Sequence, residues 1–200
     1  MKPIPSLFVS AALLRAAMIG TLPLIPLYVQ QLSVSQANLA VLAGVTTASM
    51  GVANMMTAPY LGRLGDKLGS HRVFVYAVIG AVVSMIPQAF VQHLWQLIVL
   101  RCCTGACIGG MMPSMNVLIR KYAPAGMESR TFSYMNSAVL LGGLAGSLGM
   151  GAIATGFGLP MIFIVSAILL LMCSLWMRWH VFPVIERDRE PVAMAGEREG

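Results

Sequence analysis

The sequence predicts an all-α membrane protein, a bundle of six transmembrane helices. Of its 200 residues, 58% are hydrophobic and only 10% are charged, and the mean hydropathy is +0.79. A soluble domain devotes roughly a quarter of its residues to charge, which keeps its surface hydrated. Here the charged residues form a few short clusters, separated by stretches of about 20 residues with almost no charge. A helix of that length crosses a hydrocarbon core roughly 30 Å thick.

The apolar stretches predict the spans in chain order. The first stretch is longer than the apolar region of a signal peptide and lacks a cleavage site of small residues, so it is predicted to stay in the membrane. We assign residues 1–182 to the bundle. Residues 183–200 are polar, alternate in charge and contain Pro and Gly, which predicts a disordered cytoplasmic tail. The six spans are predicted at roughly 6–29, 37–61, 73–91, 94–118, 131–155 and 159–179.

The basic residues predict the orientation. The connections at 30–36, 92–93 and 156–158 contain no Lys or Arg, whereas the segments on the other side hold eleven of the 13 basic residues. The positive-inside rule then places both termini in the cytoplasm of a multi-pass cell (inner) membrane protein. The net charge of +6 is accounted for by this topology, so no nucleic-acid partner is predicted. Aromatic residues predicted at the membrane interfaces are Tyr28 and Trp95 outside, and Trp176 and Trp179 inside.

Apart from Arg178 at the cytoplasmic end of the last span, two charged residues fall inside the predicted spans, Arg15 and Arg101. A charge near the bilayer centre costs at least about 2.5–3.5 kcal/mol on insertion scales, so by default it faces a cavity or a partner. Together with the polar residues Asn116 and Asn136, these arginines predict a substrate cavity. Structural alternatives stay open: Arg15 could bond the carbonyls of a proline-broken helix, Arg101 could reach the headgroups, and the asparagines could join helices.

The sequence predicts no enzyme. The spans contain no buried Asp, Glu or His that could serve a nucleophile or a proton relay. The four cysteines lie inside predicted spans, and neither they nor the three histidines recur at ligand spacing. We therefore predict no catalytic residue, no metal site and no cofactor.

The segment GRLGDKLGSHR at 62–72 joins the second and third predicted spans. Its glycines permit a tight turn, although a short cytoplasmic loop is often glycine-rich and basic. The order of residues resembles the signature loop of the major facilitator superfamily, which lies between the second and third helices of each six-helix half. The resemblance implies a gating role for this segment, although Ser70 stands where a basic residue is usual. The matching residues that carry it are Gly62, Leu64, Gly65, Asp66, Lys67, Gly69 and Arg72, and Gly62, Gly65, Asp66, Gly69 and Arg72 are the candidates for the gating role.

Two further patterns agree with this resemblance. Arg101, followed by Gly105 and Gly109, is similar to the fourth-helix pattern of the family, and its G-x-x-x-G allows two helix backbones to approach closely. The run GGLAGSLGMG at 142–151 is similar to the glycine-dense fifth helix of the drug:proton antiporter branch, but it lacks the usual proline. The whole pattern resembles the C-terminal six-helix half of a bacterial multidrug-efflux transporter.

The resemblance implies one half of a major facilitator fold that works by alternating access and exports hydrophobic or cationic small molecules. It also implies a second six-helix bundle as partner, either a missing N-terminal half or, less favourably, a second copy. The alternative is a non-transporting membrane scaffold or the inactive remnant of a truncated transporter gene. An intramembrane enzyme is disfavoured because the spans carry no catalytic constellation.

Overall fold

The computed structural model describes residues 4–32, 38–122 and 126–180, and within these ranges every regular element is helical. The all-α prediction is confirmed. The predicted disordered tail, 183–200, lies outside the described residues. The α-helices are α1 (Ile4–Ile19), α2 (Ile25–Leu32), α3 (Leu39–Leu68), α4 (Ser70–Gln88), α5 (Leu94–Ile108), α6 (Met111–Tyr122), α7 (Glu128–Phe157) and α8 (Met161–His180).

The first predicted span is interrupted. After α1 the chain passes through Gly20 and Thr21 into a 3-10 turn at Leu22–Leu24, and α2 follows directly. Pro23 lacks a backbone N–H and cannot continue an α-helix, whereas it is tolerated in a first turn. Gly20 is required because a methyl group there would lie 2.7 Å from the carbonyl oxygens of Ala16 and Gly146.

The fourth predicted span, 94–118, was predicted as one continuous helix, and this is wrong. It is divided into α5 and α6 at Gly109 and Gly110. Two successive glycines have low helix propensity, and both are fixed by packing. A methyl group on Gly109 would lie 2.7 Å from Oγ1 of Thr57, and one on Gly110 would lie 3.1 Å from Cβ of Leu61. In the described ranges, five apolar segments are therefore long enough to cross a membrane, with α5 as a shorter apolar helix.

Two glycine-mediated crossings hold the bundle together. In one, α7 crosses α1. A methyl group on Gly142 would lie 2.7 Å from Cα of Ala12, and one on Gly146 would lie 2.5 Å from Cα of Ala16. In the other, α5 crosses α3, and a methyl group on Gly105 would overlap the backbone of Met50. Helices α1 and α3 belong to the first three spans, and α5 and α7 to the last three. The first three spans therefore pack closely against the last three at both crossings.

Apolar side chains between these crossings form two clusters. The larger one joins α1, α4, α6, α7 and α8, and contains Leu14, Phe74, Met111 and Leu170. The second lies where α2, α5 and α8 meet, and contains Ile25, Leu97 and Phe163. All seven of these side chains are fully buried. By contrast, the 30-residue helices α3 and α7 are the least buried of the spanning helices.

Tyr28, predicted at the outer membrane interface, faces the interior of the bundle, and only 3% of its surface is exposed. Its hydroxyl donates a hydrogen bond of 3.0 Å to the carbonyl oxygen of Gln88, and its ring packs 5.2 Å from the ring of Phe163. The Gln88 amide donates in turn to Oγ1 of Thr104 at 2.8 Å. One buried hydrogen-bonded chain thus connects α2, α4 and α5.

The change Tyr28→Phe is expected to lower the free energy of unfolding by about 1–2 kcal/mol, because it leaves a buried carbonyl oxygen without its donor. Thermal unfolding in neutral detergent micelles measures this loss. Tyr60→Phe is the matched control, since Tyr60 is exposed on α3. Equal melting temperatures for the two variants would contradict a stabilising role for the Tyr28 hydroxyl.

Candidate functional site

Arg101 is enclosed inside the bundle rather than at a surface. Its side chain is 1% exposed, and its guanidinium carbon lies 5.4 Å from the centre of the Phe163 ring. Nη1 is 3.4 Å from Sδ of Met50 on α3. Nε and Nη2 are buried and have no hydrogen-bond partner in the described part of the protein. Arg101 is therefore a buried cation held by an aromatic face and a thioether, and it does not snorkel to the headgroups.

Arg15 occupies a different environment, an open groove between α1 and α7. The groove has a volume of about 620 Å³, and its walls include Ile19, Leu144 and Ser147. The Arg15 side chain is half-buried, and its Nε atom is buried without a hydrogen-bond partner among the described residues. One alternative was that Arg15 donates hydrogen bonds to the backbone carbonyls of the broken helix. The Nε atom makes no such bond.

The two asparagines do not join the arginines in one cavity. Asn116 on α6 and Asn136 on α7 are both exposed, whereas Arg101 is enclosed. Asn136 lies one helical turn from Leu140, which lines the Arg15 groove, so these two predicted residues share a region. Arg101 and Asn116 lie on separate helices, α5 and α6, because the helix is interrupted after Ile108.

The signature segment is mostly helical, and its description as a loop over 62–72 is wrong. Helix α3 continues through Gly62, Gly65 and Asp66 to Leu68, and the chain turns only at Gly69. Gly69 has φ 95°, a left-handed conformation that favours glycine, and its N–H donates to the Gly65 carbonyl at 2.9 Å. A tight turn was predicted for this segment from its several glycines. The turn is present, but it is formed at Gly69 alone.

The charged residues of the signature segment face outward. Asp66 on the last turn of α3 and Arg72 on the first turn of α4 are both exposed. Gly65 is buried, while a methyl group on Gly62 would meet nothing within 4 Å. Asp66 and Arg72 are thus available to a partner at the end of the bundle that carries the basic residues.

Sequence reasoning missed three buried residues that pack around Tyr28 or Arg101. Gln88, Thr104 and Phe163 were not singled out, although all three are buried beside Arg101 or Tyr28. Gln88 was the signal available in the sequence. A glutamine within an apolar span indicates a buried hydrogen bond, because a buried amide needs a partner. Among the described residues, no group of three or more His, Cys, Asp or Glu side chains could hold a metal ion.

Comparisons with known proteins agree with this architecture. The sequence profile of the Major Facilitator Superfamily matches residues 7–198. The chain is 36% identical over 178 residues to the Multidrug resistance protein MdtG of Serratia proteamaculans (strain 568), covering 89% of this chain and 43% of that protein. It is 37% identical over 162 residues to the protein of the same name from Dickeya zeae (strain Ech586), covering 81% and 40%.

A solved structure shows the same fold at low sequence identity. The peptide transporter POT in complex with sulfate superposes with a TM-score of 0.72 at 15% identity, over 98% of this chain and 44% of that one. The chain thus spans less than half the length of the relatives it matches, as the prediction of half a transporter fold requires. The profile match, the relatives and the shared fold establish that the chain belongs to the Major Facilitator Superfamily.

Proposed function

We propose that this chain is one six-helix half of a transporter that exports hydrophobic or cationic small molecules by alternating access. The proposal is supported by membership of the family together with the length of the chain relative to its relatives. The chain covers 43% of a relative named for multidrug resistance. In alternating access two bundles rock around a site near the bilayer midplane. This chain supplies one bundle. Its proposed site includes the groove lined by Arg15 and the nearby Asn136, whereas Arg101 is enclosed within the bundle.

A second bundle is proposed to dock on the exposed faces of α3 and α7. Gly44, Gly51 and Gly62 lie within about 20° of one line along α3, and a methyl group on any of them would meet nothing within 4 Å. Interfaces between membrane helices are enriched in such small residues. A second copy of this chain is the weaker candidate, because it would bring the arginines together without a carboxylate in the spans to neutralise them.

Both termini are proposed to lie in the cytoplasm, with Asp66 and Arg72 at the cytoplasmic end, where they support a gate. The distribution of basic residues supports this orientation. In a cysteine-free background, a cysteine at Gln92 is expected to react with a membrane-impermeant reagent only from outside. Reaction from the cytoplasmic side alone would reverse the orientation.

The proposal is tested by reconstituting the chain with and without a matching six-helix N-terminal half, and measuring efflux of ethidium under a proton gradient. The chain alone is expected to give no transport, and the pair is expected to restore it. Robust efflux by the chain alone would favour the second copy as partner. Absence of efflux from a stably assembled pair would favour the scaffold or remnant.

Gly51→Leu gives a sharper test of the docking face. The added side chain meets open space within this chain, so the melting temperature is expected to stay unchanged. It is expected to block close approach of the second bundle and to reduce co-purification with it at least tenfold. Val83→Leu, at an exposed position of α4, is the matched control. Equal co-purification of both variants would place the interface elsewhere.

A further inference from the structure

We propose that the groove between α3 and α4, at the end of the bundle that carries the basic residues, binds an anionic phospholipid. One acyl chain lies in the apolar groove, and the phosphate binds Lys67 and Arg72 at its mouth. The inference goes beyond transport and requires no second bundle. It rests on the walls of the groove, on the charges at its mouth and on its position around α3.

The groove is open and almost entirely apolar. Its walls include Tyr60 and Leu64 from α3, Tyr76 from α4 and Ala106 from α5. Tyr60 is 72% exposed and Tyr76 is 69% exposed, so these two rings form the rims of the groove. Its volume of about 440 Å³ leaves room for one acyl chain. A chain in a groove contacts protein on several sides, and these small dispersion contacts add up.

Two basic residues stand at the mouth of the groove. Lys67 follows Tyr60 by two turns of α3 and lies about 20° from it around the helix, whereas Arg72 precedes Tyr76 by one turn of α4 and lies about 40° from it. Both cations are exposed. They lie in the last turn of α3 and the first turn of α4. The groove therefore ends, on both of its sides, at a basic residue.

The charge around this mouth is positive. The segments of α3 and α4 that line the groove and continue to its mouth contain three basic residues, Arg63, Lys67 and Arg72, and one carboxylate, Asp66. Asp66 lies about 120° around α3 from Tyr60, on another face of the helix. Basic pockets between membrane helices bind acidic headgroups, and each basic residue near the membrane surface is worth roughly a fivefold change in affinity.

The position of the groove around α3 favours a lipid as its occupant. Gly51 and Gly62, on the proposed docking face, project about 160–180° around α3 from Tyr60. A second bundle packed on those glycines leaves the groove turned toward the bilayer. Lipid chains surround that side of the protein, and an anionic headgroup supplies the charge that Lys67 and Arg72 attract.

A second groove shows what the two cations add. It lies between α4 and α5, has a volume of about 620 Å³, and its walls include Pro87, Phe90 and Trp95. The neighbouring connection at 92–93 contains no Lys or Arg. This second groove can also hold an acyl chain, but it has no cation at its mouth to distinguish an anionic lipid from a neutral one.

The test compares phosphatidylglycerol with phosphatidylcholine, both carrying palmitoyl and oleoyl chains. Binding to the purified 200-residue chain is measured by native mass spectrometry after release from neutral maltoside micelles. Phosphatidylglycerol is expected to bind at least tenfold more tightly than phosphatidylcholine. Lys67→Gln combined with Arg72→Gln is expected to remove this preference. Equal binding of the two lipids by the unaltered chain, or an unchanged preference in the double variant, would overturn the proposal.

Two controls separate the site from net charge and from soluble anions. Arg130→Gln combined with Arg178→Gln also removes two exposed cations, on α7 and α8, which do not line the groove. This pair should keep the preference, and its loss would assign the effect to overall charge. Glycerol 3-phosphate in hundredfold excess should not displace phosphatidylglycerol, since it has no acyl chain. Displacement would make the basic pair a site for a soluble phosphate and would contradict lipid binding.

Tyr76→Ala tests the wall of the groove. Because Tyr76 is largely exposed, the melting temperature is expected to stay unchanged, while the affinity for phosphatidylglycerol falls at least threefold. Trp95→Ala is the matched control, an exposed aromatic residue of the second groove, and should leave that affinity unchanged. Equal effects of the two variants would place the lipid outside the groove between α3 and α4. These measurements concern this chain alone, so their failure leaves the transport proposal standing.

Discussion

Replacing Gly105 by leucine is expected to lower the free energy of unfolding by about 3 kcal/mol or more. Any side chain at this position overlaps the backbone of Met50, with the methyl position 2.9 Å from its Cα atom. A backbone cannot move aside as a flexible side chain can, so α5 must separate from α3. The separation also loosens Thr57, whose hydroxyl donates to the Ala106 carbonyl at 2.9 Å across the same crossing.

The measurement is thermal unfolding of the purified chain in neutral detergent, with an expected fall of roughly 10 °C in Tm. Gly142→Leu should behave in the same way, because Gly142 meets the backbone of Ala12 at the second crossing. Gly44→Leu is the matched control, a glycine in α3 with open space around it. A comparable loss in Gly44→Leu would contradict close packing as the cause, because leucine has the higher helix propensity and meets open space there.

Replacing Arg101 by methionine is expected to raise the stability of the chain by about 1–3 kcal/mol. Two nitrogens of the guanidinium are buried without hydrogen-bond partners in the described part of the protein, and removing an uncompensated buried charge relieves its desolvation cost. The lost contact with the Phe163 ring is worth about 0.5–2 kcal/mol. Methionine recovers part of this, because its sulfur also packs well against aromatic rings.

The experiment is again thermal unfolding, with Arg63→Met as the control at an exposed position. A rise in Tm for Arg101→Met, with no change for Arg63→Met, is the expected result. A fall for Arg101→Met would mean that its contacts with Phe163 and Met50 outweigh the cost of burial. A residue that destabilises the chain is retained most readily where function needs it, so the expected rise would support a role for Arg101 in transport.

The location of the apolar helices and a proline break in the first of them could be anticipated from the sequence, but the break in the fourth span and the length of α3 could not. Hydropathy and charge spacing locate apolar segments because a long run of apolar residues has few other solutions in a bilayer. Gly109 and Gly110 carry an ambiguous signal, since glycine permits both a break and a close crossing. In the signature segment, Leu64, Lys67 and Leu68 are good helix formers, so α3 continues until Gly69 turns the chain.

The candidate site was predicted in part. Charges inside apolar spans identify Arg15 and Arg101 as unusual, but only the three-dimensional packing distinguishes a groove from an enclosed position. Arg101 and Asn116 were predicted on one continuous helix, whereas the break after Ile108 places them on α5 and α6. The buried hydrogen bond of Tyr28 was not predicted, because a tyrosine near the end of a span fits both a lipid-facing interface position and a buried hydrogen bond.

The pairing of α1 with α7 has a consequence for biosynthesis. Ala12 and its contact Gly142 are separated by 130 positions in the sequence, so the ribosome must add those residues before α1 can meet its partner. At about 5–20 residues per second, this delay amounts to roughly 6–26 s. Throughout that interval Arg15 enters the bilayer on a helix whose main neighbour has not been made. The cost of burying that charge is therefore borne before the α1–α7 crossing can form, and slower translation of the segment before α7 would lengthen the interval.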